Sequence, residues 1–217
     1  MSTSASWWDR VVVPRAVHRF LDSAPLLALR AELVADVSGE VVELGFGSGL
    51  SLGAYPTTVT RVLAVDPDDT GWAMSAQARQ RAAAAGIEVD RVARDAAALP
   101  MRDSSVDTIV AFWTLCTVPD LDAALGEAAR VLRSGGRFIF AEHGPSSRPG
   151  RRRVEHLVEP VWRPLAGGCH LTREPWLRVP DYGFTLTSDT RPPRAAAAPP
   201  GTHLVSAVKG SNNAPAM

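Results

Sequence analysis

The chain has 217 residues, 46% hydrophobic and 21% charged, with 23 basic side chains set against 23 acidic ones. Those proportions describe one globular domain large enough to bury a core, and they exclude a disordered chain. Zero formal net charge also removes the footprint of a general nucleic-acid binder, so no nucleic-acid partner is expected.

In chain order, residues 6–36 carry helical periodicity in Trp7, Val11, Val12, Val17, Phe20, Leu21, Leu26, Leu29 and Leu33, broken at Pro14 and Pro25. That predicts two or three short helices forming an N-terminal cap over residues 1–36. Asp9 is the expected helix start. Trp7 and Trp8 before it are either core of the cap or part of a lid over a ligand. Strands are predicted at Glu40–Leu44 and Arg61–Asp66, with a helical turn beginning at Leu50 and interrupted by Pro56. The Ala-, Gln- and Arg-rich run Thr70–Ala85 reads as a helix stopped by Gly86. Further strands follow at Ile87–Val92 and Ser105–Phe112, then a helix over Leu121–Leu132. Gly135-Gly136 is read as the turn into a strand at Arg137–Glu142.

Strands alternating with helices predict a parallel sheet covered on both faces. Residues 144–180 read as a helical insertion that opens on the basic cluster Arg148, Arg151, Arg152 and Arg153, read as a solvated linker or helix start. Phe184–Asp189 and His203–Val208 complete a seven-stranded sheet. Pro192–Gly201 is a low-complexity loop, and residues 211–217 are expected to be a disordered tail after a single domain over 1–210.

The motif that carries chemistry is Val41-Val42-Glu43-Leu44-Gly45-Phe46-Gly47-Ser48-Gly49, followed by Val62-Leu63-Ala64-Val65-Asp66. An apolar strand enters a loop of alternating glycines, which lets a ligand approach bare backbone. A second strand then ends in a carboxylate at the offset expected for a group that holds ribose hydroxyls. The pair predicts an adenosine-containing cofactor. Ligands of open α/β sheets sit beyond the carboxyl ends of the strands, which directs attention to Asp95-Ala96, to Trp113–Cys116 and to Glu142-His143-Gly144.

With Arg94–Pro100, Ser105–Phe112 and Arg130–Phe138 added, the chain resembles the class I methyltransferases that use S-adenosylmethionine (SAM). The GxGxG spacing, lacking the third glycine of GxGxxG, argues against a dehydrogenase. The resemblance implies a Rossmann-like, mostly parallel sheet. It also implies that Glu43 with Gly45, Gly47 and Gly49 faces the methionine part of SAM, that Asp66 holds the ribose, and that Asp95 and Ala96 lie at the adenine. Trp113 joins this cofactor set.

Ala141-Glu142-His143, Pro160-Val161-Trp162 and Gly168–Trp176 further resemble the methyltransferase-like alkyl-thiol S-methyltransferases. Those animal enzymes carry an N-terminal membrane anchor. Met1–Arg10 here has no apolar export segment and no run approaches the ~20 apolar residues of a membrane span, so a soluble, cytoplasmic bacterial relative is expected.

The expected reaction is methyl transfer to the sulfur of a small hydrophobic thiol or dithiol, in natural-product metabolism or thiol detoxification. O- or N-methylation of a small metabolite or lipid headgroup stays open, as does SAM binding without catalysis. His143 and His170 are the catalytic candidates, as a base or as groups that lower an acceptor's pKa. Trp8, Leu115, Trp162, Arg173 and Trp176 are the acceptor-side candidates, Arg173 alternatively pairing with Glu142 or Glu174. Cys116 and Cys169 show neither a disulfide framework nor a metal-ligand spacing, so no metal is expected and Cys169 reads as structural, with no partner evident.

Overall fold

The computed structural model describes residues 12–67, 76–93, 95–192, 198–199 and 201–211. Trp7, Trp8, Asp9, the start of the helix expected from Thr70, most of the Pro192–Gly201 loop and the tail from 212 lie outside the described residues. Two helices, α1 (Val13–Leu21) and α2 (Ala24–Leu33), precede the sheet. Strands β1 (Gly39–Leu44) and β2 (Val59–Val65) are joined through a 3-10 turn at Leu50–Gly53. There follow α3 (Ala76–Ala85), β3 (Glu88–Ala93), β4 (Val106–Phe112), α4 (Leu121–Val131) and β5 (Leu132–Glu142). The last part holds α5 (Pro149–Leu165), α6 (Pro175–Arg178), β6 (Phe184–Thr190) and β7 (His203–Lys209).

The seven strands form one sheet in the order β3-β2-β1-β4-β5-β7-β6. The first five pair in parallel, while β7 runs antiparallel to both β5 and β6. The chain moves outward from β1 to β2 and β3, then returns to lay β4 on the other side of β1. That reversal opens a crevice above the carboxyl ends of β1 and β4.

The central strands read as continuous apolar runs because both faces are covered. Val42, Leu44, Ile109, Phe138 and Phe140 pack on one side against Ala124, Leu125, Ala128 and Val131 of α4. Val41, Val62, Val110 and Ile139 face the other way, onto Leu26 and Leu29 of α2 and Ala78 of α3. Helix α4 starts where the Asp120 carboxylate accepts the Ala123 amide N–H at 3.0 Å, satisfying one otherwise orphaned donor.

Most strand boundaries shift by one or two residues from the sequence expectation, and the start of β5 shifts by five. Strand β5 begins at Leu132, and Gly135-Gly136 lie within it. Pairing with β4 jumps from Val106↔Leu132 to Thr108↔Arg137, so the glycines sit in a bulge instead of a turn before the strand. Gly135 supplies the positive φ, +77°, that this excursion needs. Helix α5 differs from the others: it buries no residue, and Val154, Leu157, Val161, Trp162 and Leu165 are exposed along it. Among the described residues no helix is long and apolar enough to cross a membrane.

Phe138 is fully buried at the sheet centre, its ring 5.0 Å from Phe140 and 5.8 Å from Phe184. Phe138→Ala is expected to cost about 3–5 kcal/mol, lost transfer energy plus a cavity, read as a lower urea midpoint. A midpoint within error of the wild type would contradict this packing.

Candidate active site

The glycine loop is built onto the end of β2. The Gly45 amide donates to the Val65 carbonyl at 2.8 Å, and the Gly47 amide donates to Oδ2 of Asp66 at 2.6 Å. Gly45, Gly47 and Gly49 all take positive φ, between +55° and +73°. Their reasons differ. A Cβ on Gly45 would fall inside the Thr114 side chain, and one on Gly49 would come within 2.8 Å of Leu52. A Cβ on Gly47 would have only the Gly45 carbonyl oxygen nearby, at 3.9 Å, so it would project into open space.

That space is a cavity of about 610 Å³ above the carboxyl ends of β1, β2 and β4. Glu43, Gly45, Gly47, Asp66, Asp95, Ala96 and Trp113 line it, all from strand ends. Gly49 is not on the wall; its part is to pack against Leu52 and shape the turn. The Asp95 carboxylate accepts the Ala97 amide at 2.9 Å.

Other lining residues come from the cap and lay outside the sequence reading. Arg30 is 2% exposed on α2, with its guanidinium 4.9 Å from the Trp113 ring and 5.5 Å from Phe112. It donates to the Leu21 carbonyl at 3.0 Å, while its Nε is buried without a hydrogen-bond partner among the described residues. Burial lowers its pKa to about 10, against the pull of Glu43, so it stays charged at neutral pH. An arginine within the apolar stripe of Leu26, Leu29 and Leu33 is the signal that could have found it. His18 of α1 meets the loop directly, Nδ1 lying 2.8 Å from the Ser48 hydroxyl.

Glu43 is wholly buried in the wall, its two oxygens accepting from Ser51 Oγ at 2.7 Å and Tyr55 OH at 2.8 Å. Burial raises its pKa to about 7 despite those bonds and the nearby Arg30. Trp113 holds a strained left-handed backbone, φ 51°, and its indole N–H is buried without a hydrogen-bond partner among the described residues. The bare backbone at Gly47, the unpaired indole N–H and the paired strand-end carboxylates fit an adenosyl group carrying an amino-acid tail.

The acceptor-side candidates are placed differently from the sequence expectation. Leu115 is fully buried in the core, and Trp176 is 4% exposed, stacked 3.5 Å from His203, because each side chain points into the packing around β5 and β7. Trp162 is 41% exposed on α5. Arg173 makes no ion pair with Glu142 or Glu174; it donates to the carbonyls of Leu115 and Val118 at 2.8 and 2.7 Å, tying a loop. His170 Nδ1 is paired with Glu159 at 3.0 Å. Trp8 lies outside the described residues. None of the described members of this set lines the cavity; Val118, Pro119, Ala166 and Gly167 do so in their place.

His143 is not on the cavity wall either. Its Nε2 lies 3.0 Å from the sulfur of Cys169, which supplies the partner that the sequence left unidentified. Cys116 completes the group, its amide donating to Glu142 Oε2 at 3.1 Å. A hydrogen bond from Cys116, aided by His143, pulls the Cys169 thiol down to about 4. His143 is raised: burial opposes its charge, but Cys169 and Glu142 outweigh it.

The strand order, the glycine loop and the paired strand-end carboxylates together define a doubly wound, adenosyl-binding fold of the methyltransferase type. The family described as "Methyltransferase domain" matches residues 42–140. A thiol S-methyltransferase TMT1B of Rattus norvegicus is 30% identical over 171 residues, covering 76% of this chain and 68% of that protein. A phosphatidylethanolamine N-methyltransferase of Cereibacter sphaeroides is 36% identical over 107 residues, 48% of this chain and 51% of that one. A solved SAM-dependent methyltransferase of Thermotoga maritima shares the fold, with TM-score 0.64 and 21% identity over 93% of this chain and 98% of that chain. The chain belongs to the class I SAM-dependent methyltransferases, with SAM as its methyl donor.

Two outcomes follow from the loop and from Glu43. Gly47→Ala is expected to lose SAM binding in calorimetry while costing only about 1–2 kcal/mol of stability from the positive φ; Gly45→Ala, which collides with Thr114, is expected to lose stability as well. Equal SAM affinity in Gly47→Ala and the wild type would place the cofactor elsewhere. Because the folded protein holds the Glu43 proton up to about pH 7, its contribution is full below the ordinary value of 4.5 and is lost as pH rises through 7. Between pH 5 and 8 the wild type should therefore lose on the order of 3 kcal/mol that Glu43→Gln keeps. Parallel denaturation curves at both pH values would contradict a buried, protonated Glu43.

Proposed function

We propose that the chain transfers the methyl group of SAM to the sulfur of a small hydrophobic thiol or dithiol. The observation that carries this reading is that each titratable group on the described wall is already engaged. His18 meets Ser48, Glu43 meets Ser51 and Tyr55, and Asp66 meets the Gly47 amide. Asp95 caps Ala97 and Arg30 meets the Leu21 carbonyl. An acceptor suited to this wall arrives with its own nucleophile. A thiol of pKa about 8.5 supplies a few per cent of thiolate at neutral pH, whereas a phenol or alcohol needs a base.

Bound SAM supplies an electrophilic methyl on a sulfonium. The chain's part is placement and exclusion of water. Asp66 holds the ribose hydroxyls, and Asp95 with Ala96 borders the adenine. Glu43 and Arg30 take the ammonium and carboxylate of the methionine tail, and Trp113 closes the wall beside it. Leu21, Phe112, Val118, Pro119 and Ala166 supply the apolar surface for the acceptor. His143 and His170, held by Cys169 and Glu159, keep the neighbouring loops in place.

The similarity to a thiol S-methyltransferase supports this reading. The similarity to a phosphatidylethanolamine N-methyltransferase favours a second, transfer to the amine of a lipid headgroup. An acceptor panel with radiolabelled SAM separates them: alkyl thiols and dithiothreitol, a phenol, and ethanolamine lipid in micelles. Label is expected in the thiols, at a rate that climbs from pH 6 to 8 with the thiolate fraction. Label in the phenol or the lipid amine, with none in any thiol, would overturn the proposal.

A further inference from the structure

Outside the cavity, three separate segments bring soft ligands to one point. Cys116 comes from the loop after β4, His143 from the residue after β5, and Cys169 from the loop after α5. The Cys116 and Cys169 sulfurs and a ring nitrogen of His143 all lie within 4.8 Å of one another. We propose that these residues form a binding site for a zinc-class divalent ion, with a fourth coordination position left to water.

The donor set is the first reason. Two thiolates and an imidazole are the ligands that such ions select over calcium or magnesium. Around tetrahedral zinc these atoms stand about 3.5–3.8 Å apart. The present spread needs the 3.0 Å edge between His143 Nε2 and Cys169 Sγ to open by about half an ångström. No fourth His, Cys, Asp or Glu joins the group among the described residues. Glu142 is close, but its carboxylate is taken up by two backbone amides.

Those two amides are the second reason. Glu142 is wholly buried, with Oε2 accepting from Cys116 N at 3.1 Å and Oε1 accepting from His143 N at 3.0 Å. One carboxylate thus fixes the backbones of two of the three ligands, the supporting arrangement that metal sites use. The third is tied to the first, since the His170 amide donates to the Cys116 carbonyl at 2.9 Å.

Charge is the third. Coordination needs both sulfurs as thiolates and His143 with a neutral Nε2, so binding releases whatever protons these three groups still carry. Two thiolates then cancel the ion's charge. Arg173, whose guanidinium donates to the carbonyls of Leu115 and Val118 on either side of Cys116, attracts the Glu142 carboxylate through space without pairing with it. The filled site is neutral, which burial requires.

The test uses the full chain, purified with a phosphine reductant from cells grown with added zinc. Elemental analysis should find about one zinc per chain. Cobalt reconstitution should give the thiolate-to-metal charge-transfer band in the near ultraviolet and the intense visible bands of a tetrahedral site. Cys169→Ser alters a partly exposed residue, so it should leave the circular dichroism spectrum and SAM binding unchanged. It should weaken zinc by more than about 100-fold, since loss of an outer-shell partner alone costs about 10–100-fold. His143→Ala gives the same readout should Cys169→Ser misfold. Wild-type protein with both thiols reactive, no bound zinc and no cobalt–thiolate band would overturn the site, as would a folded variant that keeps wild-type zinc affinity. None of these readouts requires the acceptor to be a thiol.

Discussion

The bond from the Gly47 amide to the Asp66 carboxylate is the constraint on which the cavity depends. It joins the loop after β1 to the end of β2, two strands whose relative position the parallel register from Glu40↔Arg61 to Leu44↔Val65 already sets. Without it the loop would have no reason to hold Gly47 with its bare face toward open space. A charge-assisted bond is worth more than a neutral one, and here it is partly sheltered from water. Asp66 is itself anchored, its amide donating to the Ala93 carbonyl and its carbonyl accepting from Arg91. The outer strand β3 thereby steadies a residue on β2 that shapes a loop on β1.

The cap meets this frame from above. His18 reaches Ser48 from α1, and Arg81 of α3 donates to the Ser48 carbonyl at 2.9 Å. Arg30 contributes a buried cation that no simple count of surface charge would reveal. Its desolvation is offset by the rings of Phe112 and Trp113 and by the nearby Glu43, a cation–π arrangement that gains strength in a dry setting. Glu43 and Arg30 both line the cavity and influence each other's charge while each touches other partners. Such a pair is costly to bury for stability alone.

How much of this was legible in the sequence follows from how local each signal is. The parallel sheet was readable because each central strand is an apolar run bounded by turn residues. The cavity's floor was readable because it is built from residues that directly follow strands. The bulge at Gly135-Gly136 was not, since glycines before a strand and glycines within it look alike until the partner strand is known. Leu115 and Trp176 show the same limit. An apolar side chain after a strand fits a wall as well as a core, and only packing against β7 and His203 decides. The grouping of Cys116, His143 and Cys169 left no local trace, because its members come from three distant segments and follow no ligand-spacing motif.

Trp113–Val118 connects the two halves of the molecule's chemistry. At one end Trp113 takes a left-handed backbone that a bulky residue rarely adopts, at a cost of about 1–3 kcal/mol. The conformation is held by its amide donating to the Ala141 carbonyl at 2.7 Å, and by Arg30 over its ring. Thr114 then donates to the Leu44 carbonyl and occupies the space that makes Gly45 obligatory. Two residues later Cys116 is clasped by Glu142, and Arg173 gathers the carbonyls on both sides of it. A loop that shapes the cofactor cavity with its first residues therefore carries the cysteine cluster with its next ones. The strain at Trp113 is sustained by the loop's attachments at both ends, so loosening the Glu142 clasp would be felt at the indole wall without any change to the glycine loop.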